Sequence, residues 1–281
     1  EFRRVLFRSR VAVEVEVLML DEEAVPLQVA AVAERQRAAL HARRQAGAAS
    51  SVRQTPWRAR QIQKRTAKAS DFRREFFASA RTVLVYVVVS IVVIWAIRHG
   101  YMHEMQGSYG LAGNIGMIAA IIVAHDAYFY WSHRAMHHPR LFKQFHRFHH
   151  RTVTPTAWAA YSFALPEAFV MALFMPVWLY LVPTPGIVVF IFLIVMILRN
   201  CMGHAGLELH ARGWASHPVL KWISTTTHHD LHHAGSFNHN FGFYFTFWDK
   251  MMGTEHPDYV AVYDRVTGTK PTPKTLVAEA A

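Results

Sequence analysis

The sequence holds one cysteine, Cys201, in 281 residues. A lone thiol excludes an intramolecular disulfide, a CxxC zinc or redox motif and a cysteine-held iron–sulfur cluster. No GxGxxG follows a strand-like run, so no dinucleotide-binding unit is expected within the chain, and no segment reads as an appended haem domain. Charge is scarce as well. Asp, Glu, Lys and Arg make up 17% of the residues, where soluble domains carry about a quarter. Negative charge is scarcest: 19 acidic residues face 30 basic ones, for a formal charge of +11. Such a balance suits nucleic acid or an anionic membrane surface. With 52% of the residues hydrophobic and 13% aromatic, the membrane is the better match and nucleic acid is not expected as a partner.

What the chain has in excess is apolar runs and histidine. Residues 83–97 (VLVYVVVSIVVIWAI) carry no charge, and with their flanks reach the roughly 20 residues a helix needs to cross a bilayer. Residues 111–130 are long enough but include His125 and Asp126 near their end. Two further runs, 163–182 and 187–198, are separated by Pro183-Thr184-Pro185-Gly186, a helix-breaking turn. The pattern predicts an all-α integral membrane protein with about four transmembrane helices in two hairpins, the third and fourth partly re-entrant. Orientation follows from Lys and Arg near the spans. Residues 51–81 hold nine of them against Asp71 and Glu75, whereas the loop 98–110 has only Arg98 and Glu104. The N-terminus is therefore expected in the cytoplasm, and an even number of crossings returns the chain there after helices two and four. The first nine residues, EFRRVLFRS, match a translated sequencing adaptor and are expected to be a scar. Residues 10–75 read as a basic extension, 76–256 as the functional membrane domain and 257–281 as a polar tail.

Of 19 histidines, 15 lie between His125 and His239. On a helix, residues three and four apart share a face. His133 pairs at that spacing with His137, and at five residues with His138, which leaves the partner open. His146, His149 and His150 stand at i, i+3, i+4, and His229, His232 and His233 repeat that HxxHH pattern. Neutral imidazole is a common ligand for Fe, Zn, Cu and Ni. A single pair of this kind is more often an interfacial basic patch than a ligand set, but three boxes predicted on one cytoplasmic face, as a histidine-rich helical cap, are not. Eight or more imidazoles exceed what one four-coordinate ion can use, so two metals are expected.

The segments DAYFYWSHRAMHH, HRFHH, HHDLHH, NFG and FWDKMMGT, spread over residues 126–254, resemble the fatty acid hydroxylase/sterol desaturase superfamily. The resemblance implies an integral-membrane di-iron oxygenase that hydroxylates or desaturates lipid C–H bonds, with two Fe ions (replaceable by Zn on overexpression) and O2 as co-substrate. It carries the ligand set onto His133 with His137 or His138, then His146, His149, His150, His229, His232 and His233, and adds His204. Asn200, four residues before His204, resembles an Asn-x-x-x-His arrangement in which Asn holds a metal-bound water. One departure stands out. Many relatives have H-P-x-E at the start of the third helix, and here Ala164-Leu165-Pro166-Glu167 keeps the Glu without the His.

Asp126, Glu167, Asp230 and Asp249 are candidates to accept ring N–H bonds from the ligands and so fix their tautomers; for Asp249 a capping role is an equal alternative. His125, His210, His217, His228 and His239 fall outside the ligand pattern, with supporting or interfacial roles expected. The expected substrate is a lipid entering from the bilayer: a sterol, fatty acyl chain or other isoprenoid or ether lipid. Electrons must come from a separate ferredoxin, cytochrome or reductase, for which Arg134, Arg140, Lys143 and Arg147 offer a basic docking face. The competing reading is a histidine-rich membrane metal-binding or transport protein. That reading expects ligands near mid-bilayer, and here the boxes sit at helix ends.

Overall fold

The computed structural model describes residues 56–102, 104–105, 107–235 and 237–268. The expected scar, most of the expected extension and the end of the tail lie outside the described residues. The described residues from Ala59 onward form one compact unit. It is mostly helical. Helix α1 (Ala69–Arg98), α2 (Gly110–Met136) and α6 (Gly186–Gly203) are long and apolar enough to cross a membrane. Between α2 and α6 lie the short helices α3 (Pro139–Phe145), α4 (Leu165–Ala172) and α5 (Phe174–Leu181). After α6 come α7 (Thr226–Ala234), α8 (Phe247–Met251) and α9 (Tyr259–Thr267).

The long helices turn most of their large apolar side chains outward and bury a few polar ones. On α1, Val83, Leu84, Val88, Ile91 and Val92 are more than half exposed, while Glu75 and Thr82 are fully buried. That polarity suits a lipid surround, where hydrocarbon faces the apolar side chains. Glu75 has partners: Thr152 and Thr156 donate their hydroxyls to it at 2.8 and 2.6 Å. It thereby ties α1 to the loop after α3.

The expected third span is not one helix. Residues 165–181 form α4 and α5, each eight residues and so about 12 Å long, too short alone for a core of about 30 Å. Pro176 explains the break. It offers no N–H to the carbonyl of Ala172, and its ring crowds that carbonyl. Among the described residues, three helices, α1, α2 and α6, are long and apolar enough to cross a membrane, and residues 165–181 form a shorter apolar stretch. The turn before α6 is held by a two-residue parallel pairing of Glu104–Met105 (β1) with Thr184–Pro185 (β2), which closes the end of the bundle away from the histidines.

Ile121, Phe174, Phe192, Phe243 and Tyr244 form a core cluster joining α2, α5, α6 and the loop before α8. Asp126 fixes that loop by accepting the backbone N–H groups of Tyr244 and Phe245 at 2.8 and 3.1 Å. Arg199 on α6 donates to the carbonyls of Phe243 and Ser224. Asp126→Ala leaves both N–H groups unpaired, at about 1–3 kcal/mol for each buried group. Thermal unfolding in detergent is expected to show this loss, with a smaller loss in Asp126→Asn, which keeps an acceptor. Equal losses would show that charge, not the acceptor, holds the loop.

Candidate metal centre

Five elements deliver nine imidazoles to one place. His133 lies in the last turn of α2 and His137 caps its C-terminus. The next residue, His138, caps the start of α3, where its Nδ1 accepts the Arg140 N–H at 3.3 Å; it is exposed and points away. Pro139 starts α3 and forces this turn. His146 ends α3, and His149 and His150 lie in a 3-10 turn. His204 caps the C-terminus of α6. Helix α7, capped by the Thr225 hydroxyl on the His228 N–H, carries His229, His232 and His233.

The nine rings form two adjoining groups. His133, His137, His146, His150 and His232 make one; His149, His204, His229 and His233 make the other, with ring nitrogens inside each group within 4.8 Å of one another. Each HxxHH box is therefore split. The i, i+4 pairs His146/His150 and His229/His233 face opposite groups, and His149 and His232 cross over to the other group. The i, i+3, i+4 spacing implies one direction for each box, but the first box lies beyond the end of α3, and on α7 His232 is turned away from His229 and His233.

Five rings have a determined tautomer, assigned from their partners. The Nδ1–H groups of His133, His204, His232 and His233 donate to the carbonyls of Phe241, Asn200, His239 and Thr152 at 3.0, 2.9, 2.6 and 2.8 Å. That of His146 donates to Glu167 at 2.6 Å. Each Nε2 lone pair is then turned inward. His133 and His146 Nε2 approach to 2.9 Å, His204 and His229 to 3.0 Å, His137 and His150 to 3.2 Å. The Nε2 atoms of His232 and His233 are buried without a partner. For His133 and His146, whose protons lie on Nδ1, bare lone pairs at 2.9 Å repel unless a cation lies among them. Nitrogens about 3 Å apart are also what two ligands, each about 2.0–2.1 Å from one ion, would give. The donor set, all imidazole and no thiolate, fits a first-row transition metal.

Burial, and then the neighbouring imidazoles, push His146, His149, His150, His229, His232 and His233 well below the usual histidine range. Burial lowers His204 to about 4. All are neutral at pH 7, the form that binds metal.

Of the four carboxylates considered, only Glu167 touches a clustered ring. Asp126 holds the loop described above. Asp230 accepts from the Gln63 side chain at 2.8 Å. Asp249 accepts the N–H groups of Phe241 and Gly242 and the Thr254 hydroxyl, so it positions the very loop whose Phe241 carbonyl orients His133. A Cβ at Gly242 would lie 2.4 Å from the Phe245 carbonyl oxygen and 2.7 Å from Asp249, which is why glycine stands there. The Asn200 side chain donates to the Ala160 carbonyl at 2.6 Å, while its backbone serves His204. His210 pairs with Glu208, His217 caps the turn at Val219 and Leu220, and His228 lies between Ser224 and Asp249. His239 supports His232 through its carbonyl, and His125 lies in an aromatic box below the cluster. The carbonyls that orient four of the rings carry no side-chain signature, and sequence reasoning missed them.

Beneath the histidines runs an apolar cavity of about 360 Å³ between α1, α2, α4, α5 and α6, with Asn200, Phe129 and Phe163 at its histidine end. A smaller space shared with His133, His149, His204 and His229 adjoins those same three residues. On the other side, an open groove is lined by His137, Phe142, Lys143, Arg147 and Phe237.

Residues 118–254 match the family model for fatty acid hydroxylase. The chain is 31% identical to Delta(7)-sterol 5(6)-desaturase ERG3B of Gibberella zeae, over 56% of this chain and 46% of the relative. It is 27% identical to human lathosterol oxidase, over 66% of this chain and 61% of the relative. It is 32% identical to cholesterol 25-hydroxylase of Rattus norvegicus, over 42% and 40% respectively. The chain thus spans about half the length of the curated relatives it matches. No solved structure matches it.

The buried imidazoles also set a pH dependence. Ten histidines outside the long helices have lowered values (His137, His146, His149, His150, His204, His228, His229, His232, His233 and His256), against four carboxylates raised by burial, Asp230 to about 7, Asp249 to about 6, and Glu167 and Asp264. Below the unfolded histidine value of about 6.5, the unfolded chain takes up protons that the folded one refuses, so stability falls with pH. The four carboxylates act in the opposite sense and are outnumbered. Chelator-treated protein is expected to lose thermal stability steeply from pH 7 to pH 5; a flat profile would contradict the burial of neutral rings.

Proposed function

Because this chain belongs to the fatty acid hydroxylase/sterol desaturase superfamily, we propose that it is a membrane oxidoreductase that hydroxylates or desaturates a lipid C–H bond at a di-iron centre. The observation that carries this reading is the pair of buried imidazole groups whose lone pairs converge above an apolar cavity. Two iron ions held there would supply reductive activation of O2 and the removal of hydrogen from an unactivated C–H bond. His133, His137, His146, His150 and His232 would hold one ion and His149, His204, His229 and His233 the other; His138 has no part in either.

The residues themselves bind, orient and exclude water. Glu167 and the four carbonyls keep protons on Nδ1, so each Nε2 is free and its ring cannot turn. An imidazole set without thiolate withstands oxidation. The cavity between the helices presents a lipid to the cluster edge-on from the bilayer, and Phe129 and Phe163 line the last stretch to the histidines. The relatives named for sterol desaturation and cholesterol hydroxylation support a sterol-like lipid, and both reaction types begin with the same hydrogen abstraction. Lys143 and Arg147 beside the groove at His137 suit an acidic electron donor, a separate ferredoxin, cytochrome or reductase. In this reading the histidines and the basic residues before α1 lie on the cytoplasmic side, with α1, α2 and α6 crossing the bilayer and α4 and α5 entering it in part.

Lipid extracts of cells expressing the chain are expected to contain a lipid that has gained one oxygen or lost two hydrogens, and the product is expected to vanish in His149→Ala. Identical profiles for the two strains, at equal protein levels and with an electron donor co-expressed, would sink the reading.

A further inference from the structure

One histidine of the cavity wall belongs to neither group. His125 sits on α2 eight residues before His133, on the same face, with Phe129 between their rings. It is 5% exposed. Its ring lies 4.7–6.2 Å, centroid to centroid, from Phe129, Phe174, Phe192, Phe243 and Tyr244. Its Nδ1 is buried without a hydrogen-bond partner.

Packing does not explain an imidazole there. Phenylalanine would fill the same aromatic box and would bury no unpaired polar atom, which is a standing cost. Among the described residues, two buried, unpartnered polar atoms belong to residues of the cavity wall: His125 Nδ1 and the Tyr161 hydroxyl. Tyr161 packs against Phe163, which itself stacks on His149, so it stands at the reacting end. His125 stands further down. Eight residues of helix separate it from His133, about 12 Å along the axis, and the cavity continues past it to Gly186.

We propose that His125 is a specificity-determining residue, hydrogen-bonding a hydroxyl or oxo group of the lipid on the order of 12 Å from the carbon oxidised. This rests on the lipid-oxidising reading above and narrows it. The substrate is an amphipathic lipid whose oxygen enters the cavity, and the imidazole serves as donor or acceptor to it. A ring nitrogen turned to an apolar cavity favours a ligand with a matching group over the analogue that lacks it, because the nitrogen is otherwise left unpaired. A plain hydrocarbon of the same shape is therefore a poor ligand.

The test uses the full chain in detergent, with tritiated probes in two matched pairs: cholesterol against cholestene, and hexadecanol against hexadecane. Equilibrium binding is expected to favour the hydroxylated member of at least one pair by roughly tenfold or more. His125→Phe is expected to erase that preference while leaving hydrocarbon binding as it was, and His125→Asn, which places a polar atom near Nδ1, to restore part of it. Absence of preference in the unmodified protein, an undiminished preference in His125→Phe, or no binding of any probe overturns the inference. Iron content measured on the same preparations separates the two claims. Protein that holds iron without discriminating overturns the role of His125 alone; protein that discriminates without holding iron overturns the oxidation reading.

Discussion

Fully buried imidazoles that meet nitrogen to nitrogen are the constraint on which the rest of this structure depends. Water would satisfy each ring separately and would keep the rings apart. Here Nδ1–H is given to Glu167 or to a main-chain carbonyl, so the remaining lone pairs of His133 and His146 face each other at 2.9 Å. Neutral rings so placed are favourable only with a positive charge shared among them. Protonation is opposed by burial and by the other imidazoles; for a metal ion the cost of burial is offset by several lone pairs that coordinate it at once. The loops after α3 and before α8, irregular as they are, hold the carbonyls that set this geometry.

The surroundings follow from that need. Asp249 and Gly242 shape the turn that presents the Phe241 carbonyl to His133. Glu75 on α1 orders the loop from Thr152 to Thr156, and the Thr152 carbonyl receives His233. Each helix of the membrane region ends in, or packs against, a segment that orients a ligand candidate. The apolar cavity opens directly below, so lipid-facing helices and polar cap serve one site.

Much of this was legible in the sequence. The low charge and the apolar runs give the helical membrane class, and α1, α2 and α6 follow them closely. The boxes name eight of the nine clustered rings, because residue type and spacing carry the signal, and the family resemblance adds the ninth, His204. Other features depend on tertiary placement. Spacing alone left His137 and His138 open; the turn at Pro139 decides which one faces inward. Each HxxHH is divided between the two groups: the first box lies past the end of α3 at Phe145, and on α7 His232 is turned to one group while His229 and His233 face the other. Asp126 and Asp249 look like partners for histidine, yet main-chain N–H groups lie nearer and take them. Pro176 breaks a hydrophobic run whose composition alone reads as one span.

The central claim is that these two groups of imidazoles hold a pair of iron ions, and metal stoichiometry after anaerobic reconstitution tests it most directly. Purified chain loaded with ferrous iron and freed of excess is expected to retain about two irons, one for each four- or five-imidazole group. Fewer than about one iron per chain, in protein whose helical content is intact, would contradict it.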